Sequence, residues 1–247
     1  MVKKMLLLVL VPLVVGLAAA YFVRNMLVAR AVEAGSSYAL GVDTQVGSAS
    51  VEIGGGSLTL NNLVVSNPEG YTSQDFVSLR RGMLDVETGS ILDNEVVIDS
   101  FIIEGVKLHL EQIDQRANFR ALLDHLKQLD MSSSGESKKC RIGLVALRDI
   151  QVDGALTLLG KKVEKSYTLP DFSMRNVGGD QGATISEVTA RVVKTLITKS
   201  LAAGSGKLPD GFGSQLGELK QQGVDKVKTE AADRLKELTN PLTGGNK

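Results

Sequence analysis

The strand-like alternation of apolar and polar residues is interrupted, at a recurring place, by one extra residue. The stretch "LTLNNLVVSNPEGY", residues 58–71, begins with two alternating apolar residues, a two-residue polar step and two more alternating apolar residues. Similar segments begin at residues 96, 145 and 167, and each copy is followed by Asn or Gly. One extra residue turns the next side chain to the wrong face unless the backbone bulges or bends there. The pattern therefore predicts kinked strands that end at these Asn or Gly residues and form a curved β-sheet.

Helical periodicity appears on both sides of the second strand block. Residues 117–129 place their apolar residues on one helical face, and "TISE", residues 184–187, has the spacing of a capping box that opens a helix reaching about residue 203. The last segment of the chain has a narrow apolar seam between charged positions, which is typical of a helix that packs against a partner. The candidate partner-helix residues are Val224, Val227, Ala231, Leu235 and Leu238.

These patterns predict four parts of the chain. They are a transmembrane anchor and membrane-proximal helix at 1–40, a curved β-sheet domain at 41–180, a capping helix at 181–203, and a linker with an amphipathic helix at 204–247. The predicted fold class is mainly β with flanking helices: an N-terminal transmembrane helix, a groove-like antiparallel β-sheet and amphipathic C-terminal helices. About nine strands at ~4.8 Å spacing would give a groove ~40 Å long.

Residues 5–23 form an uncharged apolar run preceded by Lys3 and Lys4. A helix of that length spans ~28 Å, close to the ~30 Å hydrocarbon core, and the two lysines favour a cytoplasmic N-terminus. A cleaved signal peptide is the alternative, because "LAAA" at 17–20 resembles a cleavage site. The length of the run favours a retained anchor, and both interpretations export the rest of the chain.

Composition narrows the function classes. The net charge is zero, which gives no reason to expect nucleic acid as a partner, and the single cysteine, Cys140, excludes an internal disulfide framework. The sequence contains no phosphate loop, metal signature or nucleophile motif. We therefore expect neither an enzyme nor a bound metal or cofactor.

Several of these segments together resemble a known family. The N-terminal apolar run, "SLTLNNLVVSNPEGY", "VVIDSFIIEGVKLHLE" and "ANFRALL" resemble, in this order, the N-terminal module of AsmA-like envelope proteins, over roughly residues 1–180. The resemblance implies a bacterial inner-membrane protein, single-pass, with its bulk in the periplasm. Long members resemble bridge-like lipid-transfer proteins, whose bent sheet forms an apolar groove, so the resemblance also implies phospholipid as a ligand and a role in outer-membrane upkeep.

The apolar faces of the kinked strands are the candidate lipid site. The candidates are Leu58, Leu60, Leu63, Val65, Val96, Ile98, Phe101, Ile103, Leu108, Val145, Leu147, Ile150 and Val152. The pattern leaves open whether these residues line an open groove for acyl chains or form an ordinary core beneath the helices. The second hypothesis for function is accordingly a structural or accessory subunit of an envelope complex, which docks a protein partner or a second copy of itself through its transmembrane and C-terminal helices.

Overall fold

The computed structural model describes residues 24–52, 54–132, 138–205 and 207–208, together with residues 212, 217 and 221. The described helices are α1 at residues 24–40, a short 3-10 helix Thr88–Leu92, α2 Asn118–Ser132 and α3 Ile185–Ala203. The described strands are β1 Thr44–Glu52, β2 Ser57–Ser66, β3 Asp75–Val86, β4 Glu95–Ile113, β5 Arg116–Ala117, β6 Lys139–Leu158, β7 Lys161–Leu169, β8 Phe172–Val177 and β9 Ala183–Thr184.

All of these strands belong to one sheet with the order β1-β2-β3-β4-β6-β7. Strands β8 and β9 pair with the same side of β6 as β7 does, nearer the start of β6, and β5 pairs only with the end of β4. The sheet is therefore six strands wide, ~24 Å at the usual strand spacing. The expected groove length of ~40 Å is wrong, because three of the strands extend existing positions instead of adding new ones.

The predicted antiparallel sheet is wrong for one pair of strands, since β4 and β6 are parallel while the other described pairings are antiparallel. The longest pairing in the described chain joins β4 and β6 in parallel, from Glu95 beside Lys139 to Ile113 beside Thr157. Parallel neighbours need a crossover connection, and α2 lies between these two strands in the chain. The predicted helix at 117–129, flanked by strand patterns, was the local sign of this β-α-β unit.

The transmembrane helix of the predicted fold class is not part of the structure as described. None of the helices within the described residues is long and apolar enough to cross a membrane. The run at 5–23 that carried this prediction lies outside the described residues. The described part of helix α1, residues 24–40, carries Arg30 and Glu33 and packs Ala29 against β1 and β2 as an amphipathic helix.

Left-handed residues interrupt the strands along a single line across the sheet. Pairing skips Asn62 in β2, Arg80 in β3, Gly105 in β4 and Asp149 in β6, although the residues on both sides of each are paired in register. Asn62, Gly105 and Asp149 have φ angles of 52°, 68° and 52°. At the next edge the chain breaks at Pro170–Asp171 between β7 and β8. The predicted phase skips in the first and third copies are therefore left-handed residues, each opposite an unpaired residue of the neighbouring strand, and the register is the same on both sides of them.

A second line of unpaired residues explains the break in alternation in β4. Asp99 in β4 and Gly143 in β6 are skipped together, and Asn176 in β8 has a φ angle of 50°. A Cβ on Gly143 would lie 2.8 Å from the Asp99 carbonyl oxygen, so glycine permits a close backbone approach there. The prediction that Gly105 and Gly154 end strands is wrong, since β4 and β6 continue past them to Ile113 and Leu158.

The helices pack on one face of the sheet. The main apolar core joins α2 and α3 to β4, β6 and β7, with Phe119, Leu122 and Ile197 among its most buried members. Thr184 caps α3 through the predicted capping box with Glu187. Helix α1 covers β1 and β2 in a smaller core.

Helix α1 also protects the outer edge of β1. Three β1 amides donate to its side chains: Thr44 to Ser37 Oγ at 2.8 Å, Val46 to Glu33 Oε1 at 2.9 Å and Val51 to Asn25 Oδ1 at 3.2 Å. The Val46 amide and the Arg30 guanidinium outweigh burial and lower the pKa of Glu33. An edge strand with its amides satisfied in this way is a poor template for pairing with another chain.

Candidate functional site

The candidate lipid residues lie together on the helix-covered face of the sheet. All thirteen belong to the two apolar cores or pack against them. Register aligns eleven of them, all except Val96 and Ile98, in transverse rows that take one residue from each strand position. The four rows across the sheet are Val51-Leu58-Leu84-Phe101-Val145-Met174, Ala49-Leu60-Gly82-Ile103-Leu147-Phe172, Val46-Leu63-Leu79-Val106-Ile150-Leu169 and Thr44-Val65-Val77-Leu108-Val152-Tyr167.

Most of this face is filled by the helices of the chain itself. Eight of the thirteen candidates are buried: Leu60, Val65, Ile103, Leu108, Val145, Leu147, Ile150 and Val152. Tyr167 donates its hydroxyl proton to the Ser200 carbonyl oxygen and so ties β7 to the end of α3. Burial raises the pKa of that phenol. At this end of the sheet the face is a closed core.

The first row differs from the other three. Five of its six members are half-buried, and Val145 alone is buried. We call this row the Phe101 row. In the adjacent row five of six members are buried. The Phe101 row lies at the end of the sheet near Asn25 of α1, because the Val51 amide donates to the Asn25 side chain there. Of the other half-buried candidates, Val96 and Ile98 lie just beyond it on β4, and Leu63 lies in the third row. The apolar face is therefore least covered at this margin.

A second candidate site lies on polar groups at the opposite end of the sheet. The buried carboxylate of Glu111 accepts hydrogen bonds from the Thr72 amide at 2.9 Å, the Thr72 hydroxyl at 2.7 Å and the Ser73 amide at 3.0 Å. Asn118, at the start of α2, accepts from the Glu111 amide at 3.1 Å and donates to Asn67 Oδ1 at 2.9 Å. The side chains of Asn67, Glu111 and Asn118 therefore join the β2–β3 loop, β4 and α2 in one network.

The pKa of Glu111 reflects this setting. Burial alone would raise its pKa, but hydrogen bonds from Ser73 and Thr72 and the charge of Lys162 outweigh burial and lower it. Lys162 reaches the same loop and donates to the Thr72 hydroxyl at 2.9 Å. A buried carboxylate that binds backbone amides of a loop holds that loop in one conformation.

Ser73, His109 and Asp153 form a chain of polar contacts beside this network. His109 Nδ1 lies 2.7 Å from Ser73 Oγ and 2.9 Å from the Asp75 carbonyl oxygen, while Nε2 lies 3.3 Å from Asp153 Oδ2. These residues and Glu111 line a cavity of about 300 Å³. A serine, a histidine and a carboxylate that contact one another in this order resemble the arrangement used in acyl transfer.

The electrostatics of this cavity disfavour that chemistry. The backbone amide of Ser73 itself already donates to the Glu111 carboxylate. A carboxylate at that place repels the negative charge that develops on a substrate oxygen. We therefore interpret Ser73, His109 and Asp153 as part of the network that fixes the β2–β3 loop.

Sequence reasoning did not find this polar network. Its members are far apart in the chain, and a single carboxylate in "LHLEQ" carries no local signature. The available signal was that Asn67, Glu111 and Asn118 all stand in the segments that resemble the AsmA-like module. Strand alternation also places His109 on the polar face, where it lies opposite Asp153 in the register of β4 and β6.

Other candidates add no chemistry to these two sites. Cys140 is buried, and burial followed by the nearby charge of Glu95 raises the pKa of its thiol. Within the part of the chain that the structure describes, no group of three or more His, Cys, Asp or Glu side chains is placed to hold a metal ion. The partner-helix candidates from Val224 to Leu238 lie outside the described residues.

Comparison with known proteins gives no family: no protein-family model matches this chain, and no curated protein matches it. Membership of the AsmA-like family therefore stays a prediction that rests on the sequence patterns alone.

Proposed function

We propose that this chain is a phospholipid-binding protein of the bacterial cell envelope, similar to AsmA-like proteins, and that it takes up an acyl chain along the Phe101 row. The observation that carries this proposal is the contrast between rows. A continuous apolar row crosses six strands and remains half-buried, while the adjacent row is almost completely buried.

The proposed site is shorter than the groove expected from the sequence. The sheet is ~24 Å wide, and α2 and α3 already fill the other end of the apolar face. Burying ten methylene groups of an acyl chain would contribute roughly 8 kcal/mol before the cost of ordering the lipid. The site binds the apolar tail, and no described residue of the Phe101 row carries a charge that would select a headgroup. Binding and handover of single lipids fit this size.

The experiment is native mass spectrometry of the full chain extracted in mild detergent. We expect co-purified phospholipid in the parent protein. Leu84→Gln introduces a polar group in the middle of the Phe101 row, and we expect the bound fraction to fall at least fivefold, since one polar group on an apolar surface costs more than 1 kcal/mol. Leu92→Gln, on the exposed 3-10 helix, is the matched control and should leave the lipid content unchanged. The absence of phospholipid from the parent protein, or equal lipid in both variants, would contradict the proposal.

A second function is favoured by the closed part of the face. Because eight of the thirteen candidates are buried under the helices of the chain, the sheet also suits a structural or accessory subunit of an envelope complex. Crosslinking in the membrane tests this alternative. A stoichiometric partner that is lost on deletion of residues 214–247, with lipid content unchanged, would support the subunit and count against lipid binding as the main role.

A further inference from the structure

The hairpin between β6 and β7 ends in an exposed apolar tip. Leu159 at the turn is 90% exposed, Leu158 is 54% exposed and Val163 is 48% exposed. The hairpin is paired up to its last residues, Leu158 beside Lys161. The tip is therefore an ordered apolar projection at the end of the sheet opposite the Phe101 row.

Apolar and basic residues share one face of this hairpin. Register places Leu156 opposite Val163 and Leu158 opposite Lys161, with Lys165 two residues farther along on the same face. On the other face Lys162 is paired with Glu164, so their charges cancel. The adjoining turn carries Asp114 and Arg116, which also balance. The net charge around the apolar tip is therefore positive and comes from Lys161 and Lys165.

The backbone conformation at Leu159 favours asparagine or aspartate over leucine. Leu159 has a φ angle of 51° and Gly160 of 76°, the left-handed pair of a two-residue hairpin turn. Asn or Asp is the usual first residue of such a turn, because a leucine side chain is strained there. An apolar side chain at a strained, solvent-exposed position suggests that its contribution lies in a contact outside the folded chain.

We propose that the β6–β7 hairpin tip docks onto an anionic phospholipid surface. Leu158, Leu159 and Val163 enter the boundary between headgroups and acyl chains, while Lys161 and Lys165 meet the phosphate groups. An apolar tip flanked by cations on one face is complementary to a negatively charged membrane and not to a neutral one. This contact is separate from the Phe101 row and does not depend on acyl-chain binding there.

The test uses the full chain with Cys140→Ser and a polarity-sensitive fluorophore on Leu159→Cys. Vesicles that contain a lipid-borne quencher are then added, either of phosphatidylcholine alone or of phosphatidylcholine with phosphatidylglycerol. We expect quenching by the anionic vesicles only. A fluorophore on Leu92→Cys, an equally exposed leucine at the other end of the sheet, should not be quenched by the added vesicles.

Variants separate the two contributions to docking. With the fluorophore moved to Leu158→Cys, Leu159→Asn removes the apolar side chain and suits the left-handed turn, so it should weaken vesicle binding at least tenfold without lowering the thermal unfolding midpoint. Lys161→Gln should weaken binding about fivefold, while Lys127→Gln on the exposed side of α2 should have no effect.

Three outcomes would overturn the proposal. They are equal quenching by neutral and anionic vesicles, unchanged binding of Leu159→Asn, and shielding of the fluorophore by a protein extract that contains no membranes. The lipid content of Leu159→Asn, measured on the same preparation, keeps this test distinct from that of the Phe101 row, because loss of docking should leave that content unchanged.

Discussion

At the scale of single residues, the line of left-handed positions decides how the sheet keeps one apolar face. Asn62, Gly105 and Asp149 each take up one residue step, so that the apolar side chains before and after them lie on the same side. Glycine, asparagine and aspartate tolerate this conformation better than other residues. Arg80 lies between Asn62 and Gly105 on this line. Its guanidinium Nη2 lies 3.7 Å from Asp149 Oδ2.

The conformation of Asn62 gives a direct prediction. Asn62→Val puts a β-branched residue at a φ angle of 52°, and we expect it to reduce the free energy of unfolding by about 2 kcal/mol. Asn62→Gly is the control and should be nearly neutral, because glycine adopts this conformation without strain. The measurement is denaturant unfolding of the full chain. Equal stability of the two variants would show that the bend does not depend on the left-handed residue.

Glu111 gives a second prediction at the residue scale. Glu111→Gln keeps the shape but places an amide group against N–H donors of the β2–β3 loop, so we expect a loss of about 2 kcal/mol at pH 7. Glu69→Gln, an exposed change in the same loop, should cost less than about 0.5 kcal/mol.

The pH dependence of this effect has a definite sign. Since the folded-state pKa of Glu111 lies below its unfolded value, its carboxylate stabilises the protein above about pH 4.3, and this stability is lost as the pH falls through the folded pKa. The gap in unfolding free energy between parent and Glu111→Gln should therefore narrow below that pH. A constant gap between pH 7 and pH 3 would contradict the role of the charged form.

At the scale of elements, the sequence predicted what local patterns determine. The start of α3 follows from the spacing of Thr184 and Glu187, and its end from periodicity, so the predicted helix to about residue 203 is confirmed by α3 Ile185–Ala203. The skip at residues 61–62 was likewise visible as a break in alternation. The parallel pairing of β4 and β6 was missed because strand direction depends on where α2 crosses, which no strand pattern contains.

In the candidate site, too, local patterns predict some features while others depend on tertiary packing. Alternation together with the one-residue skip assigns the thirteen apolar residues to one face. Which of them remain half-buried depends on where α1, α2 and α3 pack, and the polar network around Glu111 depends on contacts between segments 39 and 44 positions apart, as with Thr72 and Asn67. Such contacts leave no periodic trace in a single sequence.

Substitutions at Thr184 test whether the N-terminal cap stabilises α3. Thr184→Ala removes the side-chain oxygen that accepts from the Glu187 amide at 3.1 Å, and we expect a loss of about 1 kcal/mol in unfolding free energy. Thr184→Ser retains the hydroxyl and should cost less than half of that. Circular dichroism with denaturant titration measures both variants, and equal losses would contradict a stabilising cap.

At the scale of the whole molecule, the described chain has two apolar cores of unequal size. The larger core joins α2 and α3 to the central strands, and the smaller one, built on Ala29, Val46, Ala49 and Leu60, joins α1 to β1 and β2. Partly buried Leu63 packs against both. A small core attached to a large one is expected to open first, because fewer buried apolar contacts hold it. The Phe101 row crosses from one core to the other, so opening of α1 would widen access to the proposed lipid site.

Hydrogen exchange followed by mass spectrometry tests this order of opening. We expect peptides from residues 24–66 to exchange faster than those from β4 and β6 under native conditions. Leu60→Ala, in the small core, should accelerate exchange in residues 24–66 and leave β4 and β6 nearly unchanged. Leu147→Ala, in the large core, should cost about 2–5 kcal/mol and accelerate exchange throughout the described chain, because β1 and β2 join the sheet through β3 and β4. If Leu60→Ala accelerates β4 and β6 as strongly as residues 24–66, the two cores unfold as one unit and α1 cannot open the Phe101 row independently.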